Sequence, residues 1–213
     1  MVEIYRTDQQ VLNTLTDIQD GCWINMVDPT SKELEQIAER FEIEPEDISS
    51  ALDEEESSRI SLEDGYTVIL VDIPTPEVRH EKKMYTTIPL GIILKSEAII
   101  TVCKVDTPII NYFVRNKVKE FSTKKKMRFI YQMLFRSAFV YQANLRLIDK
   151  KRIEIEERVD GDTSDTDLIE LHELESTLVY FATSLRANSI VLDRLRRYKR
   201  LEQYPDCLLY TSP

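Results

Sequence analysis

Glycine is scarce, with four residues in a chain of 213. A phosphate loop or a dinucleotide fingerprint needs several glycines within a few positions, and neither pattern occurs. The shortage also favours long helices, which glycine interrupts. Cysteine is almost as rare: Cys22, Cys103 and Cys207 are odd in number and far apart. That spacing excludes a disulfide framework and a Cys-x-x-Cys metal knuckle, and fits a reducing compartment. His80 and His172 are isolated from each other and from any cysteine or acid at zinc-ligand spacing, so both read as surface side chains. The longest nearly apolar runs, residues 88–94 and 98–102, fall far short of the ~20 residues that a membrane helix needs. The first ten residues, MVEIYRTDQQ, have no basic region leading into an apolar core, so a secretory leader is not expected. Taken alone, the chain is expected to be soluble. Neither a nucleophile elbow nor a zincin motif is present, and enzymatic activity is not expected.

What the chain does have is charge and apolar periodicity. Thirty-eight acidic residues against 28 basic ones give a net charge of −10, which speaks against a general nucleic-acid binder. With 42% hydrophobic and 31% charged residues it reads as folded, and its length allows one α/β domain plus an appendage. Residues 2–6 alternate as a short strand, and residues 22–27 form a second, opened by Trp23, whose ring belongs in the core. Asp28-Pro29-Thr30-Ser31 makes a helix entry, with Ser31 placed to cap and Leu34, Ile37, Ala38 and Phe41 at helical spacing. Pro45 suits the first turn of another helix, with Glu46 and Asp47 near its positive end. Residues 59–62 and 66–73 form a hairpin about Asp64-Gly65, and Pro74-Thr75-Pro76 is expected to break the sheet. A second strand pair spans 84–94 and 98–103, and a helix is expected over 108–118.

After Lys124 the pattern changes. Met127, Ile130, Leu134, Ala138, Tyr141, Leu145 and Ile148 recur at 3-4 spacing. After Asp160-Gly161-Asp162, a cleaner seam follows: Leu171, Leu174, Leu178, Phe181, Leu185, Asn188, Leu192 and Leu195. Two helices of roughly 50–60 Å each would form an antiparallel hairpin. The fold class is thus α/β in the α+β sense: a mixed, largely antiparallel sheet covered by helices, then a long two-helix hairpin. The domains are 1–122 for the sheet, 123–204 for the hairpin and 205–213 for an irregular tail, PDCLLYTSP, that matches neither heptad nor cap.

The order of parts over residues 21–74, GCWINMVDPTSKELEQIAERFEIEPEDISSALDEEESSRISLEDGYTVILVDIP, resembles the cytoplasmic domain of the CorA family of divalent-cation (magnesium and cobalt) transport proteins. The resemblance continues more loosely to about residue 204. It implies a parent protein in which a very long helix becomes the first membrane span and a Gly-Met-Asn signature closes that span. A second span follows, five subunits surround one pore, and cytoplasmic magnesium bound between neighbouring domains holds that pore closed. The chain would be the regulatory domain, on the cytoplasmic side of the cell membrane, attached to it only through spans it does not contain. Its partners would be other copies of itself and divalent cations, with Mg2+ as a regulatory ion. An acid just past the 66–73 strand would help bind that ion; Glu77 is the nearest match by register, and Asp72 is the alternative. Whether the parent carries magnesium, cobalt or zinc stays open.

Other candidates have simpler readings. Asp53-Glu54-Glu55-Glu56 reads as a solvated helix end. Asp160, Asp162, Asp165 and Asp167 look like a calcium loop, but position six from Asp160 is Asp165 instead of glycine and position twelve is Leu171 instead of glutamate. The basic runs 124–128 and 194–200 read as solvated helical faces. The alternative function is a soluble interaction module whose hairpin seam pairs with a partner helix, without any role in transport.

Overall fold

In the computed structural model, residues 1–79, 82–159 and 165–197 are described. Seven strands form one sheet: β1 (Val2–Asp8), β2 (Val11–Leu15), β3 (Cys22–Val27), β4 (Arg59–Glu63), β5 (Tyr66–Arg79), β6 (Lys82–Leu94) and β7 (Ala98–Cys103), in the order β2-β1-β3-β7-β6-β5-β4. Only β3 and β7 run parallel, in register Cys22 to Ala98 through Val27 to Cys103; every other pair is antiparallel. The mixed, largely antiparallel sheet expected from the sequence is therefore present.

The two faces of the sheet are covered separately. On one, α1 (Ser31–Phe41), α2 (Pro45–Ser49) and a 3-10 turn (Ser50–Leu52) bury Ile37, Phe41, Ile48 and Ala51 against Ile24, Val68, Leu70 and Ile100. Gly91 in β6 permits this contact: a Cβ there would stand 2.6 Å from the Ala51 Cβ. The cap of α1 is Thr30, one residue earlier than Ser31. Thr30 Oγ1 accepts from the Glu33 amide at 3.3 Å and the Glu33 carboxylate accepts from the Thr30 amide at 2.8 Å, a reciprocal capping box. On the other face, α3 (Pro108–Val114), which stops four residues short of the expected 118, packs with α4 (Lys126–Val159) and α5 (Asp165–Arg197). Here Trp23 meets Tyr5, Phe113, Phe121 and Phe129 at ring-centroid distances of 5.1, 6.5, 6.3 and 5.0 Å, so it is core as read.

Two further expectations are overturned. Pro74 and Pro76 do not break the sheet; β5 continues through both to Arg79. The register explains why. The Asp72 amide points away from β6, to Ser58 and Asn188, and residues at a spacing of two share that direction. The nitrogens of Pro74 and Pro76 therefore lie on the outer edge, past the last β4 pair at Arg59–Leu70, and no ladder hydrogen bond is lost. The second correction concerns the α5 seam. Its buried stripe runs Glu170, Leu174, Thr177, Phe181, Ser184, Val191 and Leu195, while Leu178 and Leu185 are exposed. α5 packs against β5 and β6 as extensively as against α4. Facing a sheet, the helix buries Thr177 and Ser184, whose hydroxyls donate to the Tyr85 carbonyl at 3.1 Å and to Thr87 Oγ1 at 2.9 Å on β6.

Candidate functional site

β5 and β6 form a two-stranded ribbon beyond the end of β4, and both long helices lie along it. Asp72 sits where sheet, α4 and α5 meet. Its amide donates to Asn188 Oδ1 at 2.9 Å and to Ser58 Oγ at 3.2 Å. Its carbonyl accepts from Asn188 Nδ2 at 2.7 Å and from the Tyr141 hydroxyl at 3.1 Å. Ser58 in turn donates to Asn188 Oδ1 at 3.0 Å, and Ser184 donates to Thr87 Oγ1 at 2.9 Å. Asn188 thus replaces, on an edge that β4 no longer covers, the paired amide and carbonyl of a neighbouring strand.

The Asp72 carboxyl lies within this network. Burial pushes its pKa above the ordinary carboxylate value, and the neighbouring Ser184 and Ser58 hydroxyls pull it part of the way back. Burial, followed by the charge of Asp72, pushes the Tyr141 hydroxyl up as well, against the Ser184 hydrogen bond. Glu77 lies five residues further along the ribbon, half-buried and paired in register with Met84 of β6. Asp72 and Glu77 are thus on one strand, with Asp72 held from within the chain.

The remaining sequence candidates are placed as follows. Asp53 Oδ1 accepts from the Glu55 amide at 3.0 Å, Glu54 pairs with Lys104 at 2.6 Å and Glu56 with Arg59 at 2.7 Å, so this acidic stretch is locally compensated. Asp160 and Asp162 lie outside the described residues, as do His80, residues 198–200 of the second basic run and the tail 205–213. Asp167 and Glu170 face Arg158, at 3.4 and 3.1 Å. His172 is exposed, 3.7 Å from Glu175. In the first basic run, Lys126 Nζ donates to the carbonyls of Lys95 (2.7 Å) and Ser96, Arg128 pairs with Glu120 at 3.1 Å, and the Lys124 stem lies against Gly21. These cations hold the β6–β7 turn and the start of α4 in place, a structural use that helical periodicity alone did not reveal. Among the described residues, no group of three or more His, Cys, Asp or Glu side chains converges as a metal site. Ser58 and Ser184 were not singled out in the sequence; Tyr141 was visible there as a member of the first helical seam and Asn188 as the polar member of the second.

A family model described as CorA-like Mg2+ transporter protein matches residues 19–211. The chain belongs to this family. A cobalt/magnesium transport protein CorA from Methanocaldococcus jannaschii is 26% identical over 179 residues, covering 82% of this chain and 55% of the relative. The chain thus spans little more than half the length of that relative. Among solved structures, the complete CorA magnesium transporter of M. jannaschii superposes with a TM-score of 0.84 at 22% identity, covering 99% of this chain and 68% of that one. The soluble domain of the same protein also gives 0.84, at 23% identity, covering 99% and 85%. The ZntB cytoplasmic domain from Vibrio parahaemolyticus gives 0.66 at 11% identity, covering 94% and 80%. These likenesses establish the fold of a CorA soluble domain, including the long hairpin. No described helix is long and apolar enough to cross a membrane.

Proposed function

We propose that the chain is the cytoplasmic regulatory domain of a divalent-cation transporter of the CorA type, and that it senses Mg2+ through an ion shared between neighbouring copies, as in a pentameric parent. The observation that carries the reading is the attachment of both hairpin helices to one point of β5, Asp72, by the Asn188 and Tyr141 hydrogen bonds. A ligand on the ribbon beyond that point acts on the element that the hairpin grips. Glu77 is the carboxylate this chain would contribute. Asp72 is the alternative, and to serve, its carboxyl must leave the buried surroundings that raise its pKa. Magnesium takes oxygen ligands and keeps several waters, so one carboxylate from each of two copies, with water, suffices to hold it. Acids facing each other across an interface repel until a divalent ion bridges them, and binding then favours one packing over another.

The test is thermal unfolding of the 213-residue chain with and without Mg2+. At ten times the dissociation constant, linkage gives about 1.4 kcal/mol, or roughly 3–5 °C for a domain of this size. Glu77→Gln should remove most of that shift while leaving the metal-free melting temperature close to wild type. A wild-type curve that does not move with magnesium overturns the reading.

A further inference from the structure

A second charged feature lies away from the ribbon, where α3 meets α4. A cavity of about 280 Å3 is lined by Asp106, Pro108, Asn111, Tyr112, Arg115, Lys117 and Arg136. Three of these side chains are cations and one is an acid, in a chain whose net charge is −10. The acid is already engaged: Asn111 Nδ2 donates to both oxygens of Asp106, at 2.8 Å each. None of Arg115, Lys117 and Arg136 has an ion-pair partner among the described residues. Elsewhere in the same helix, Arg128, Arg152 and Arg158 all pair with carboxylates.

Arg136 is held in position without an anion. Its guanidinium carbon lies 4.0 Å from the Tyr112 ring centroid and 5.2 Å from that of Phe139, and its Nε is shut off from water with no hydrogen-bond partner among the described residues. Stacking fixes the plane of the guanidinium while leaving its in-plane N–H groups to be used, which is how arginine recognises tetrahedral oxyanions. Arg115 and Lys117 are exposed at the rim, carried there by the turn that ends α3. Among the described residues, neither basic run of the sequence contributes to this cavity.

We propose that this cavity binds a phosphate-bearing anion. Arg136 takes phosphate oxygens through its fork, and Arg115 and Lys117 close on the remaining charge from the rim. The phosphate belongs either to a small soluble ligand or to a lipid headgroup, and the chemistry of recognition is the same.

Isothermal titration calorimetry of the 213-residue chain with sodium pyrophosphate, at constant ionic strength and without divalent cations, tests the soluble arm. The expected result is saturable 1:1 binding with a dissociation constant on the order of 0.1–1 mM. Arg136→Gln should weaken it at least tenfold. Because Arg136 also packs on Tyr112, the double variant Arg115→Gln/Lys117→Gln, with both side chains exposed, provides a second reading. It should weaken binding several-fold without lowering the melting temperature. Lys150→Gln, an exposed cation elsewhere on α4, should have no effect. Co-sedimentation with phosphatidylcholine vesicles containing phosphatidic acid tests the lipid arm with the same variants. Binding to vesicles alone, lost in the double variant, assigns the phosphate to a membrane; binding to pyrophosphate assigns it to a soluble ligand. Absence of binding in both arms, or equal weakening by Lys150→Gln, overturns the proposal.

Discussion

Thr101 is fully buried and carries two interactions at once. It accepts from the Trp23 indole N–H at 2.8 Å and donates to Asn25 Oδ1 at 2.9 Å, joining the two parallel strands through side chains inside the core. Thr101→Val keeps the shape and removes the hydroxyl, leaving a buried donor and a buried acceptor without partners. The expected loss is roughly 2–4 kcal/mol in urea unfolding, whereas Thr101→Ser should recover most of it. Trp23 was legible as core because a large ring at the start of an apolar run has few other places to go. The relay was not, because Asn25 and Thr101 lie 76 positions apart and only the β3–β7 register brings them together. Glu33 carries a prediction of another kind. Hydrogen bonds from the Thr30 amide and hydroxyl hold its carboxyl below the ordinary glutamate value. A depressed folded-state pKa means that stabilisation is present above the unfolded value of about 4.3 and is lost as pH falls through the folded one. Wild-type stability should therefore decline more steeply than that of Glu33→Gln as the pH falls from 5 to 3, and an NMR titration of Glu33 should give a midpoint below 4.3.

Among the elements, α5 and β5 departed furthest from the sequence pattern, for a common reason. Leucine periodicity marks positions able to pack against another helix, but α5 lies on a strand ribbon as well as on α4. Its buried stripe follows positions 170, 177, 184 and 191, while Leu171 and Leu192 are half-buried at its margin and Leu178 and Leu185 are exposed. The stripe and the seam share Leu174, Phe181 and Leu195, so the helix and its length were readable while its orientation was not. The proline pair departs from expectation for a similar reason: an edge tolerates proline, and edge status depends on where β4 stops. Asn188 distinguishes a coiled-coil seam from a strand-capping helix. In a seam, Asn188→Leu would stabilise the hairpin. Here it leaves the amide and carbonyl of Asp72 short of their shared partner, and a loss of roughly 2–3 kcal/mol is expected, together with faster hydrogen exchange at the Asp72 amide. A more stable variant would restore the seam.

Across the whole molecule, apolar packing divides into three unequal parts. Two large clusters cover the two faces of the sheet, and the four aromatic partners of Trp23 belong to the one beneath α3 and the start of α4. The third is small: Met84, Tyr141, Ile148, Ile155, Leu174 and Phe181, joining the outer hairpin to the ribbon. Phe181 meets Tyr141 edge-on at 4.9 Å and is its only ring partner among the described residues. A cluster of this size opens without the sheet if one large member is removed, because the remaining contacts no longer offset the chain entropy regained by the helices. Phe181→Ala, costing roughly 3–5 kcal/mol locally, should therefore abolish slow hydrogen exchange along the outer parts of α4 and α5 while β3 and β7 keep theirs. Phe129→Ala, within the ring cluster around Trp23, should instead lower protection everywhere. If Phe181→Ala reduces protection uniformly, sheet and hairpin unfold as one unit. In that case, an ion on the ribbon has no independent hairpin motion to bias, and any response to it must come from the movement of whole domains.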